Sequence, residues 1–77
     1  MDGKFEFECE GKAYRCTVKA RFLVEVANGT SSYTLERGFS APSVAVRFYG
    51  ELAVGANQKK RLTMIDEKKR TVLARTK

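Results

Sequence analysis

From Lys4 to Glu10 the chain reads KFEFECE, with Phe5, Phe7 and Cys9 alternating against Glu6, Glu8 and Glu10. Strict period-two alternation predicts a strand that is buried on one face and wet on the other. Gly11-Lys12 then fits a two-residue hairpin turn with glycine first. Beyond it Tyr14, Cys16, Val18, Ala20, Phe22, Val24 and Val26 keep the same period without a slip. At about 3.4 Å per residue a strand from Tyr14 to Val26 would extend roughly 40 Å, against a diameter of about 30 Å for a compact chain of this length. The strand is therefore expected to bend, at Ala20 between Lys19 and Arg21, or to project and leave an edge free for a partner or a second copy.

Asn28-Gly29 is a strong signal for a type I′ turn, since both residues tolerate positive φ. The following segment, SYTLERGF, predicts a third strand with Tyr33, Leu35 and Phe39 at even spacing. After Ser40 the period lengthens: Val44, Phe48 and Leu52 recur every four residues, with Ala45 and Tyr49 beside them. One amphipathic helix of about three turns is expected, with Ser40 or Ser43 as N-cap, Pro42 in the first turn and Gly55 just past the end. The last twenty residues read as a hairpin, KRLTMI, the turn DEKK, then RTVLART. Its buried row is either Leu62 and Met64 with Leu73, or Ile65 with Val72 and Ala74, depending on register.

The expected order is β-β-β-α-β-β in a single domain, residues 1–77. One antiparallel sheet of about five strands with one helix packed on one face buries both periodicities, a two-layer α+β architecture. Composition agrees with a folded chain, 43% hydrophobic and 31% charged. A domain this small buries only roughly 60% of its unfolded surface, which leaves little interior for an enclosed site.

Charge changes the picture. The net charge is +6, yet residues 1–58 are neutral, their basic residues matched in number by their acids. The whole excess sits in residues 59–77, where Lys59, Lys60, Arg61, Lys68, Lys69, Arg70, Arg75 and Lys77 face only Asp66 and Glu67. In the expected hairpin both ends are basic: Lys59, Lys60, Arg61, Arg75 and Lys77 at the open end, Lys68, Lys69 and Arg70 at the tip. Such a ribbon suits a polyanion, a nucleic acid or a ribonucleoprotein surface, because each neutralised phosphate releases condensed counterions. The three arginines add planar donors that match phosphate. The competing reading is a solvated hairpin whose lysines keep strand edges soluble. Aromatic stacking platforms are missing from residues 58–77. In the first hairpin, Glu6, Glu8 and Glu10 are expected to pair across the strands with Arg15, Lys19 and Arg21.

Catalysis is not expected. The chain has no histidine, its acids fall on exposed alternating positions, and Cys9 and Cys16 lie on an apolar face without a base to ionise them. Two cysteines without histidine are too few for a structural zinc site, so neither metal nor cofactor is implied. Reduced, buried thiols are expected; a disulfide would be directly cross-strand only if the turn were Lys12-Ala13. The N-terminal MDGKFEFECEGK has no continuous apolar run, so neither a secretory signal nor a membrane span is expected and the default compartment is the cytoplasm. The NGT at 28–30 accordingly reads as a turn, not as a glycosylation site.

Compact, basic, single-domain chains without a catalytic kit look like the small accessory proteins encoded by phages and mobile elements, including inhibitors of host defence. That likeness is one of size and style and rests on no motif. It implies a second class of function, an inhibitor or adaptor that occupies a host protein complex through a sheet edge or the hairpin. A third class is a structural homodimer joined along a strand edge.

Overall fold

The computed structural model describes residues 4–76. Six strands and one helix follow in the order β1 (Phe5–Cys9), β2 (Lys12–Cys16), β3 (Arg21–Asn28), β4 (Thr34–Phe39), α1 (Pro42–Glu51), β5 (Gln58–Asp66) and β6 (Lys69–Arg75). The expected α+β class is present, but the strands form two antiparallel sheets: a β1-β2 hairpin and a four-stranded sheet in the order β4-β3-β5-β6.

The extra strand comes from the long period-two run. It breaks at Thr17–Ala20, where Ala20 N–H donates to Thr17 O across 3.2 Å, and the chain leaves one sheet for the other. Thr17 is clamped at this corner: its N–H and hydroxyl donate to the two carboxylate oxygens of Asp66, at 2.8 and 2.6 Å. Ala20 is buried, as a bend into the core requires, and Val18 is turned out to solvent. The molecule measures 44 × 23 × 17 Å, longer than a compact ball of this size.

Two turns differ from expectation, and the third falls within the expected DEKK. The first hairpin turns at Glu10-Gly11, with φ of 52° and 79°, so Cys9 pairs with Lys12 and Cys16 with Phe5. The two thiols are therefore far apart along the ribbon, buried and free. Glu6 pairs with Arg15 at 2.7 Å, but Glu8 faces Ala13, and Lys19 and Arg21 lie beyond the hairpin. At Asn28-Gly29 only Gly29 has positive φ, 58°, and a longer loop carries the chain to Thr34. Asn28 is held there by Gln58 Nε2–H on its side-chain oxygen, 2.7 Å. The last hairpin turns at Glu67-Lys68, both left-handed, with φ of 51° and 70°.

The helix begins with Pro42 in its first turn and Ala41 as N-cap, with no side-chain cap from Ser40 or Ser43. It stops at Glu51, before Gly55, and buries Pro42, Ala45 and Tyr49 while Val44 is exposed. The inward stripe is thus rotated by about one residue from the one predicted. Together α1 and the β1-β2 hairpin cover one face of the four-stranded sheet. Phe22, Val24, Leu62, Met64, Leu73 and Ala74 form the floor, and Cys9, Cys16, Ala45 and Tyr49 the roof. Phe7 meets Phe22 edge-on, with ring centroids 5.5 Å apart, and Phe39 packs on Phe48. Leu73 and Ala74 both reach the core because β6 bulges between the pairs Leu62↔Ala74 and Thr63↔Val72. Among the described residues no helix is long and apolar enough to cross a membrane.

Candidate functional site

Residues opposite each other in an antiparallel ladder share a face, so the register assigns every strand position. On β3 and β5, Phe22, Val24, Lys60, Leu62 and Met64 point toward the helix layer, and Arg21, Leu23, Glu25, Lys59, Arg61, Thr63 and Ile65 point away. From β6, Arg70, Val72 and Arg75 join the outward set opposite Ile65, Thr63 and Arg61. On β4 a bulge leaves Glu36 unpaired between Arg37↔Val24 and Leu35↔Glu25. An extra residue reverses the alternation, which turns Leu35 outward while Arg37 and Phe39 stay with the helix layer.

This outward face is covered by neither α1 nor the β1-β2 hairpin. Arg21, Lys59, Arg70 and Arg75 are exposed on it. Its cations stand at three levels: Lys59, then Arg61 with Arg75, then Arg21 with Arg70 beside Ile65. At about 3.4 Å per residue, Lys59 to Ile65 spans roughly 20 Å. Leu35 and Val72 are 61% and 42% exposed on the same face, apolar positions within a basic field.

The one buried carboxylate on it among the described residues is Glu25, only 7% exposed; Glu36, the extra residue of the β4 bulge, is exposed. Arg61 Nε–H donates to Glu25 Oε1 at 2.8 Å and the Thr63 hydroxyl donates to the same oxygen at 3.0 Å. Arg70 Nη1 lies 4.0 Å from Oε2. The Arg61 guanidinium in turn lies 3.9 Å from the centroid of the Tyr33 ring. Such stacking orients the guanidinium plane and keeps its edge donors on the carboxylate.

The eight basic residues singled out in the sequence separate accordingly. Lys59, Arg61, Arg70 and Arg75 fall on the outward face. Lys68 is at the turn and exposed; Lys69 is exposed opposite Asp66, on the helix-layer side. Lys60 points the other way from its neighbours: its Nζ donates to the carbonyl oxygens of Tyr49 and Leu52, at 2.6 and 2.9 Å. Lys77 lies outside the described residues. Arg21, Glu25, Tyr33 and Thr63 belong to the site without having been picked out. For Arg21 and Glu25 the signal was present, since their odd positions alternate with Phe22, Val24 and Val26.

On the covered side, Tyr14 divides two open clefts between the β1-β2 hairpin and β6, of about 390 and 450 Å³. Its hydroxyl donates to Leu73 O at 3.4 Å. Lys69 and Asp66 line the first cleft; Lys12 and Glu10 line the second, which runs to the β6 edge at Val72 and Arg75. Their charges are mixed, unlike those of the outward face.

In comparison with known proteins, no family model, curated protein or solved structure matches the chain, so its functional reading rests on this geometry.

Proposed function

We propose that the protein is a small non-catalytic binding module that meets a polyanion, a nucleic acid or a ribonucleoprotein surface, with the uncovered face of its four-stranded sheet. The observation that carries this reading is the segregation of charge. Arg21, Lys59, Arg70 and Arg75 are exposed on one face whose buried carboxylate, Glu25, is already neutralised by Arg61. A ladder of cations spread over roughly 20 Å of strand can follow a phosphate backbone. The sequence-level candidate, the whole basic hairpin, narrows to the residues on that face, because Lys60 is occupied by the helix end.

The test is charge reversal by location. Lys59→Glu with Arg75→Glu should abolish binding to duplex or single-stranded nucleic acid while the thermal transition stays in place. Lys68→Glu with Lys69→Glu, at the tip, should weaken it less. Equal losses from both pairs would return the reading to a diffuse attraction without a docking face.

A second reading is favoured by Leu35 and Val72. Their exposure within the basic face suits a protein partner with an acidic, partly apolar surface, as for an accessory protein that inhibits or adapts a host complex. Binding of that kind would depend weakly on salt, because apolar burial rather than counterion release would dominate.

A further inference from the structure

Glu25 stands out on the face described above: it is the only buried acid among the described residues, and it sits among the cations of β5 and β6. A buried ion pair is a weak source of stability, since desolvating two charges offsets most of their attraction. The carboxylate's surroundings nevertheless resemble a cradle for an oxyanion. One oxygen accepts from Arg61 Nε–H and from the Thr63 hydroxyl, while Arg70 stands 4.0 Å from the other. That distance is beyond a hydrogen bond, and the Arg70 side chain is 54% exposed, so its donors remain available to solvent. The Arg61 plane is fixed from behind by Tyr33. Arginine forks bind carboxylate and phosphate through the same donor geometry.

We propose that Arg61, Arg70 and Thr63 form a subsite for one backbone phosphate, which in the free protein is filled by the chain's own Glu25 carboxylate. Glu25 then sets the affinity of the face. An incoming phosphate draws Arg70 away first and meets the repulsion of Glu25, so neutralising that carboxylate adds one phosphate contact. The identity of the ligand as nucleic acid rests on the reading proposed above; the subsite itself does not.

The experiment compares wild type with Glu25→Gln, which keeps the shape and an acceptor for Arg61. In fluorescence-anisotropy titrations with a generic duplex, Glu25→Gln should bind roughly tenfold more tightly at 0.1 M salt, with a salt slope steeper by about 0.9, the increment for one phosphate. Inorganic pyrophosphate, followed by NMR at the Arg61 Nε–H resonance, should give a saturable shift in Glu25→Gln that is strongly weakened in Glu25→Gln/Arg70→Gln, which keeps the reporting arginine. Unchanged affinity and slope together with no pyrophosphate shift would overturn the subsite. Should Glu25→Gln fail to fold, Glu25→Ala reads the same subsite: a slope steeper by about 0.9 supports it, and an unchanged slope contradicts it. The two proposals can fail separately. Nucleic-acid binding lost on reversing Lys59 and Arg75 but insensitive to Glu25 would leave the face and remove the subsite. Pyrophosphate at Arg61 without nucleic-acid binding by either protein would do the opposite.

Discussion

The Lys60 ammonium donates to the Tyr49 carbonyl oxygen at 2.6 Å and stands 4.6 Å from the centroid of the same residue's ring. A second bond to Leu52 O completes the cap. Helix α1 has no basic residue in its last turn, and the ends of helices leave carbonyls unpaired at the negative pole of the dipole. A lysine from β5 supplies the missing cation. This explains why the helix can stop at Glu51 without glycine, and why one member of the basic tract is structural.

Lys60→Met should therefore destabilise the fold by roughly 1–2 kcal/mol, the range for hydrogen bonds to a charged group at a helix end. For a domain of this size each kcal/mol corresponds to about 4–8 °C in Tm. Nucleic-acid binding by the folded variant should be close to wild type. A melting point unchanged by Lys60→Met would remove the capping role.

The Asp66–Thr17 clasp predicts a pH dependence. Hydrogen bonds from the Thr17 hydroxyl and then the Thr17 N–H hold the Asp66 carboxyl below its ordinary value of 3.8, with a smaller contribution from Lys4 that works against partial desolvation. Because the folded-state value is the lower one, the unfolded chain takes up the proton first as pH falls. The clasp's stabilisation is thus fully present above the unfolded value and is lost as pH drops through the folded one. Denaturant unfolding between pH 6 and pH 3 should show a smaller loss of stability in Asp66→Asn than in wild type. Parallel losses would mean that Asp66 contributes nothing to the acid limb.

The two thiols should be unreactive in the native protein. Burial raises Cys9, with Glu10 adding to it, and burial raises Cys16, with Asp66 adding. Thiolate is the reactive form, so alkylation at neutral pH should be slow until denaturant is added. Rapid labelling of either residue in the folded protein would place it outside the core.

The Glu67-Lys68 turn stores backbone strain. Both residues are left-handed, a region that costs a non-glycine residue about 1–2 kcal/mol. Lys68→Gly, and more so Glu67→Asn with Lys68→Gly, should stabilise the protein by roughly 0.5–1 kcal/mol after the extra entropy of glycine is counted. Urea midpoints decide it; a lower midpoint would show that these side chains hold the turn by contacts that outweigh the strain.

The class of fold was legible because the periods of two and four dominate the chain. Phe5 to Cys9 and Phe22 to Val26 were read on their correct faces for that reason. What escaped depends on partners remote in sequence. A bulge at Glu36 or Leu73 exists only relative to the opposing strand, and it decides whether Leu35 faces out and whether Leu73 and Ala74 are both buried. The break at Thr17–Ala20 depends on Asp66, nearly fifty positions away, and interrupts a pattern that stays in phase across it. Lys60 looked like its neighbours because nothing local shows that a helix end lies above it. The face itself could have been found by parity along β3, which sets Arg21 and Glu25 opposite to Phe22 and Val24.

The most direct test of the basic face is fluorescence anisotropy with a generic duplex and a single strand over a range of salt. With Arg21, Lys59, Arg70 and Arg75 each neutralising one phosphate, log K against log salt should fall with a slope of roughly −3 to −4 for duplex, using about −0.9 per contact. Lys59→Glu/Arg75→Glu should abolish the binding even at low salt. No binding at low salt, or binding indifferent to salt, would contradict the polyanion reading and turn the face toward a protein partner.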